Sequence, residues 1–197
     1  MDLTDILEDF WNNLEDIEIY NEFSFQHELG IYLRSKLYDD YKVEFERNIK
    51  FFRDEECFQG SFKEFPELNE FEKREIDIVA YDLDKKIFHA IELKYPRNGQ
   101  YPESMYSFIK DIRFMEQLKD LGFDSTYCIT IVDKESKPFY EECRKNDGIY
   151  AYFRKGETIS GKIPKPTGKK NTSVTIDGNY GIEWIDEGNW KRYFIKI

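Results

Sequence analysis

Along the first 40 positions apolar residues recur at helical spacing. Ile6, Leu7, Phe10, Trp11, Leu14 and Ile17 share one face, with Thr4 or Asp5 placed to cap it. Ser24 is placed to cap a second helix over 25–39, with Leu29, Leu33 and Leu37 as its buried stripe. The pattern then switches to alternation over 41–52, which predicts a strand. Residues 53–73, rich in Phe and Glu with Gly60 and Pro66, have no period and read as an insertion or lid. Alternation returns over 74–95 as a hairpin. Pro102 starts a helix to Leu121 with a stripe of Met105, Phe108, Ile112, Met115 and Leu118, and Gly122 ends it. A largely apolar stretch at 125–133 reads as a strand buried on both sides. A short helix over 136–145 and a run of short strands follow, beginning with "IYAYFRKG". This order predicts an α/β fold, a mixed sheet flanked by helices over 1–148. A β-rich C-terminal extension over 149–197 packs on the same domain.

The hairpin is the most informative element. With its turn centred between Asp84 and Lys85, one face pairs Ile76–Leu93, Ile78–Ile91 and Ala80–His89. The other pairs Tyr81–Phe88, Val79–Ala90, Asp77–Glu92 and Glu75–Lys94. Both faces are apolar near the turn, and only the far end of the second is charged. Such a hairpin is covered on both sides and opens at one end into a polar pocket. Acids directly opposed across strands repel each other and are costly to bury. Glu75, Asp77 and Glu92 with Lys94 leave a formal −2, which a divalent cation offsets. Carboxylate oxygens without His or Cys suit Mg²⁺ or Mn²⁺. Glu75 is either a further ligand or a partner for Lys94.

Asp77, fourteen residues, then Glu92-Leu93-Lys94 on the next strand resembles the signature of the PD-(D/E)XK nuclease superfamily. The tripeptide alone carries nothing, since residues 40–42, 84–86 and 135–137 match it too. Only Glu92-Leu93-Lys94 lies on a strand opposite an acid. Ile76 stands where the signature has proline. The resemblance spans about residues 24–133 and implies a restriction endonuclease-like αβββαβ core. It implies metal-dependent hydrolysis of phosphodiester bonds, with Asp77, Glu92 and the carbonyl of Leu93 as metal ligands. Lys94 would position or deprotonate water and balance charge in the transition state. Glu28, on the preceding helix, matches an acid that reaches the metal or a second ion; the other reading is a solvated helix residue. DNA is favoured over RNA by analogy with the superfamily.

Charge refines this picture. The chain carries a net −11, which argues against a protein that merely coats nucleic acid. Residues 1–33 hold nine acids and no Lys or Arg, whereas residues 154–197 have a balance of +4. The acidic N-terminal helix is thus a candidate contact for a protein partner. Lys165, Lys169 and Lys170, with Lys110, Arg113 and Gln117 on the helix after the motif, are candidate nucleic-acid contacts; an ordinary solvated surface is the alternative for each. Three cysteines without a CxxC give neither a disulfide framework nor a zinc site. No stretch resembles a membrane span, and a reducing cytoplasm is the expected location. A catalytically inactive copy of the fold, serving as a protein- or nucleic-acid-binding module, is the competing reading.

Overall fold

A computed structural model describes residues 2–14, 17–37, 39–97, 99–141, 147–154, 157–168 and 172–197. Asn21, not Ser24, caps the second helix. Its side chain accepts from the Ser24 amide (2.7 Å) and the Ser24 hydroxyl accepts from the Asn21 amide (3.0 Å), a closed capping box. This helix, α2, therefore spans Glu22–Lys36, nearly one turn earlier than apolar spacing suggests. The first helix, α1, spans Thr4–Trp11 and stops short of Leu14 and Ile17, because the Asn12 and Asn13 amides bond back to Asp9 and Phe10.

The alternation over 41–52 holds only for β1, Lys42–Asn48. The Asn48 side chain accepts from the Lys50 amide (3.0 Å) and turns the remainder into a short helix, α3, Ile49–Asp54. The hairpin is β2 (Glu75–Asp82) and β3 (Ile87–Lys94), followed by α4 (Tyr101–Leu121) and β4 (Ser125–Asp133). Of the helix expected over 136–145, a 3-10 turn at Lys137–Phe139 is present, and residues 142–146 lie outside the described residues. Of the stretch expected as a strand at 149–156, residues 149–153 instead belong to a 3-10 helix at Gly148–Phe153, and residues 155–156 lie outside the described residues. The C-terminal strands are β5 (Thr158–Pro164), β6 (Ser173–Gly181), β7 (Ile185–Glu187) and β8 (Trp190–Lys196).

Six strands form one mixed sheet in the order β1-β2-β3-β4-β8-β7. Only β3 and β4 run parallel, joined by the α4 crossover; the other pairs are antiparallel. Strands β5 and β6 make a separate two-stranded sheet against α4. Helices α1 and α2 cover one face of the main sheet and α4 covers the other. Ile78, Ala80, Ile91 and Leu93 point into the first core, and Val79, Tyr81, Phe88 and Ala90 into the second. The two-sided burial expected of the hairpin is present, except that Ile76 joins the α4 side rather than the side of Ile78.

The aperiodic segment 53–73 is a cover for the α4-side core. Phe58 and Phe71 are buried, and Phe62 packs on Phe88 with ring centres 4.6 Å apart. The acidic start and basic end of the chain meet each other. Arg192 on β8 pairs with Glu8 (2.6 Å) and lies over the Trp11 ring, Lys196 pairs with Asp2, and Lys36 takes Asp9 (3.0 Å). Three acids of the candidate partner surface are thus engaged within the chain. Among the described residues no helix is long and apolar enough to cross a membrane.

Candidate active site

The hairpin register follows the expected pairing from Asp82–Ile87 to Ile78–Ile91 and then stops. Beyond it β2 stays paired with β1 as far as Asn48–Glu75, and β3 stays paired with β4 as far as Lys94–Thr130. The two outer ladders draw the strands apart, so the hairpin ends in a fork. At the same level the β1–β2 ladder keeps its register but lacks the Glu46–Asp77 pair, and Glu46 takes a positive φ of 51°. Asp77 and Glu92 do not form the backbone pair that simple alternation implies. Instead Asp77 Oδ2 accepts from the Leu93 amide (2.7 Å), occupying a donor the missing ladder leaves free.

Each element around the fork delivers a polar group. Glu92 on β3 is buried with only 1% of its surface exposed. Asp111 on α4 is buried beside it, one turn from Phe108 and Met115 on the apolar stripe. Lys73, just before β2, contacts Glu92 Oε2 and lies 3.1 Å from Asp111 Oδ1. Lys94 donates to the Leu93 carbonyl (2.9 Å), pairs with Glu22 (3.2 Å) and lies 3.7 Å from Asp111 Oδ2. Glu22 also accepts from the Tyr95 amide (3.1 Å). One turn along α2, Gln26 donates to the Asp77 carbonyl (2.6 Å) and to Glu46 (2.7 Å).

Four acids therefore face two lysines, a formal −2. Burial pushes the Asp77 carboxyl up to about 6, against the pull of Lys94 and Lys73. Burial, with Asp77 and Asp111 close by, pushes Glu92 well above the usual carboxylate range. For both lysines burial works against the charge, but the surrounding carboxylates outweigh it and raise their pKa values. At neutral pH Lys94 is an ammonium ion. Two buried oxygens, Glu92 Oε1 and Asp111 Oδ2, have no hydrogen-bond partner.

The donor set is all oxygen, as a hard cation requires, and the two unpartnered oxygens are capacity that the chain itself does not use. Yet among the described residues no three of His, Cys, Asp and Glu converge as a metal-binding group. Lys73 instead bridges Glu92 and Asp111, and Lys94 holds the Leu93 carbonyl. The oxygens match a hard cation in kind.

The fork brings together Asp77, Glu92, Leu93 and Lys94. It does not bring Glu28, which sits on the outer side of α2 beside His27 (3.3 Å), whereas Glu22 and Gln26 on the inner side reach the strands. Glu75 is exposed, and Lys94 is engaged by Glu22 and Asp111. Lys110 pairs with Glu72 (3.6 Å) and Arg113 with Glu116 (3.0 Å) and Asp177. Gln117 clamps the covering segment, donating to the Glu70 carbonyl (2.8 Å) and accepting from the Glu72 amide (2.9 Å). Lys165 lines a groove of about 450 Å³ between α4 and β6 together with Lys110. Lys169 and Lys170 lie outside the described residues.

Asp111, Lys73, Glu22 and Gln26 are the members that sequence reasoning missed. Asp111 had a visible signal, an acid set within an apolar helical stripe. No protein-family model matches the chain, and neither does any curated protein or any solved structure.

Proposed function

We propose that the fork is the active centre of a divalent-metal-dependent nuclease of the PD-(D/E)XK kind, hydrolysing nucleic-acid phosphodiesters, DNA by analogy. One observation carries the reading: buried, unpartnered carboxylate oxygens on Glu92 and Asp111 lie beside a charged lysine on the strand of the motif. The element order supports it, since α2, β1, β2, β3, α4 and β4 follow the αβββαβ sequence with α3 interposed.

Asp77, Glu92 and Asp111 would hold Mg²⁺ or Mn²⁺. When bound, such an ion lowers the pKa of water and offsets charge on phosphoryl oxygens. The chain's own contribution is positioning and charge. Asp77 fixes the β3 backbone through the Leu93 amide, and Gln26 fixes Asp77 through its carbonyl. Lys94, kept as an ammonium ion, donates to and neutralises the phosphoryl oxygens that gain charge, and so serves as a stabiliser rather than as a base.

The test is cleavage of single- and double-stranded oligonucleotides with Mg²⁺, with Mn²⁺ and with chelator. Cutting is expected only with the ion, and is expected to be lost in Asp77→Asn; cutting that survives chelation or this substitution would contradict the proposal. One observation favours a second reading, a catalytically inactive binding module. Lys73 already bridges Glu92 and Asp111. Its signature is nucleic-acid binding with no cleavage under any divalent ion.

A further inference from the structure

Glu92 and Asp111 each present one oxygen to the same cation and leave the other unpartnered. The shared cation is the Lys73 ammonium group, in contact with Glu92 Oε2 and 3.1 Å from Asp111 Oδ1. The remaining oxygens, Glu92 Oε1 and Asp111 Oδ2, make no hydrogen bond, although the latter lies 3.7 Å from Lys94. Lys94 makes its nearest contacts elsewhere, with Glu22 (3.2 Å) and the Leu93 carbonyl (2.9 Å).

The three residues differ in how firmly they are anchored. Glu92 is set in a central strand and Asp111 in a long helix, both fully covered. Lys73 comes from the irregular stretch before β2, and a quarter of its side chain is exposed. Its ammonium group can therefore withdraw towards solvent without disturbing a strand or helix. An ammonium and a divalent ion seek the same oxygens, and two cations cannot occupy one carboxylate pair without strong repulsion.

We propose that Lys73 is a tethered counter-cation that competes with a divalent ion for Glu92 and Asp111. It offsets part of the charge of the buried acids in the metal-free chain and sets how much free metal the site needs before it loads. This rests on the reading of the fork as a metal site. Lys73 is then a gate on that site and not one of its ligands.

The experiment is Mn²⁺ titration calorimetry on the chelator-stripped full chain. It compares wild type, Lys73→Ala, Lys73→Gln and, as a charge control at the other end of the hairpin, Lys85→Ala. Both Lys73 variants are expected to bind Mn²⁺ about tenfold more tightly or better, with Lys85→Ala indistinguishable from wild type. Binding by the Lys73 variants alone would also uphold the competition, while removing the nuclease reading of the wild type. Equal affinity in all four proteins would overturn the competition and leave the metal reading standing. Equal tightening by Lys85→Ala would overturn it too, assigning the effect to net charge. No binding in any protein would overturn both. If a Lys73 variant is unfolded when stripped, recovery of its far-UV circular dichroism on adding Mn²⁺ supports the proposal, and no recovery counts against it.

Discussion

At the turn of the β2–β3 hairpin Asp82 has 1% of its surface exposed, and at the fork Glu92 has the same. Their pKa values nevertheless shift in opposite directions. Asp82 takes hydrogen bonds on both oxygens, from the Lys85 ammonium (2.7 Å) and the Lys85 amide (3.0 Å), and these hold its carboxyl below the usual range. Its cover is thin, since Lys85 itself stands more than half exposed. Glu92 lies between the sheet and α4 with other acids for neighbours, one lysine on one oxygen and nothing on the other, and its pKa rises. Equal exposure thus conceals opposite electrostatics. The number of donors and the depth of cover decide whether the pKa of a buried acid falls or rises.

The sharpest way to separate the two ends is to remove a lysine from each. Lys94→Ala is expected to reduce metal-dependent cleavage by about 10²-fold or more, the usual scale for a positioned charge-stabilising group, while Mn²⁺ still binds. Cleavage kinetics beside calorimetry check this, and undiminished cutting would remove Lys94 from the chemistry. Lys85→Ala, at the turn, is expected to leave cleavage unchanged.

The next effect is on stability, with opposite pH dependence at the two ends. Folding raises the Asp77 pKa from 3.8 to about 6, so the folded chain holds this proton more tightly than the unfolded chain. Its contribution is fully present below about pH 4 and is lost as pH rises through 6. In the metal-free protein Asp77→Asn is therefore expected to be more stable than wild type at pH 7, by on the order of 2 kcal/mol, with the gap closing towards pH 4. Asp82 is depressed below 3.8, so its contribution is present above that value and is lost as pH falls further. Asp82→Asn is expected to destabilise at pH 7 and to lose that penalty in acid. Urea unfolding at several pH values checks both, and the same sign for the two variants would erase the distinction.

The smallest of these effects is the thermal response to metal. Mn²⁺ is expected to raise the melting temperature of wild type and Asp82→Asn alike, by mass action on the folded state, and not that of Asp77→Asn. A rise retained in Asp77→Asn would place the ion elsewhere.

The hairpin was legible because its alternation and its turn agree on one register, and the ladder keeps that register as far as Ile78–Ile91. Asp77, Glu92 and Lys94 followed from order along the chain. The fork itself was not legible, since where the inner ladder stops depends on the pull of β1 and β4 from outside the hairpin. Glu22 was hidden by a capping box that starts α2 before its apolar stripe does, whereas Gln26, three residues before Leu29, lies on the stripe side and Glu28 lies off it. Asp111 was within reach, since spacing from Phe108 and Met115 places it on the buried side. Lys73 was not, because an aperiodic segment carries no directional signal and only tertiary packing aims its side chain at Glu92.

Anomalous diffraction from a crystal grown with Mn²⁺ tests the metal reading most directly. A peak at the fork, within ligand distance of Asp77, Glu92 and Asp111 and with Lys73 withdrawn from the two carboxylates, is the expected result. No peak there, with Lys73 still bridging Glu92 and Asp111 at saturating Mn²⁺, would contradict it.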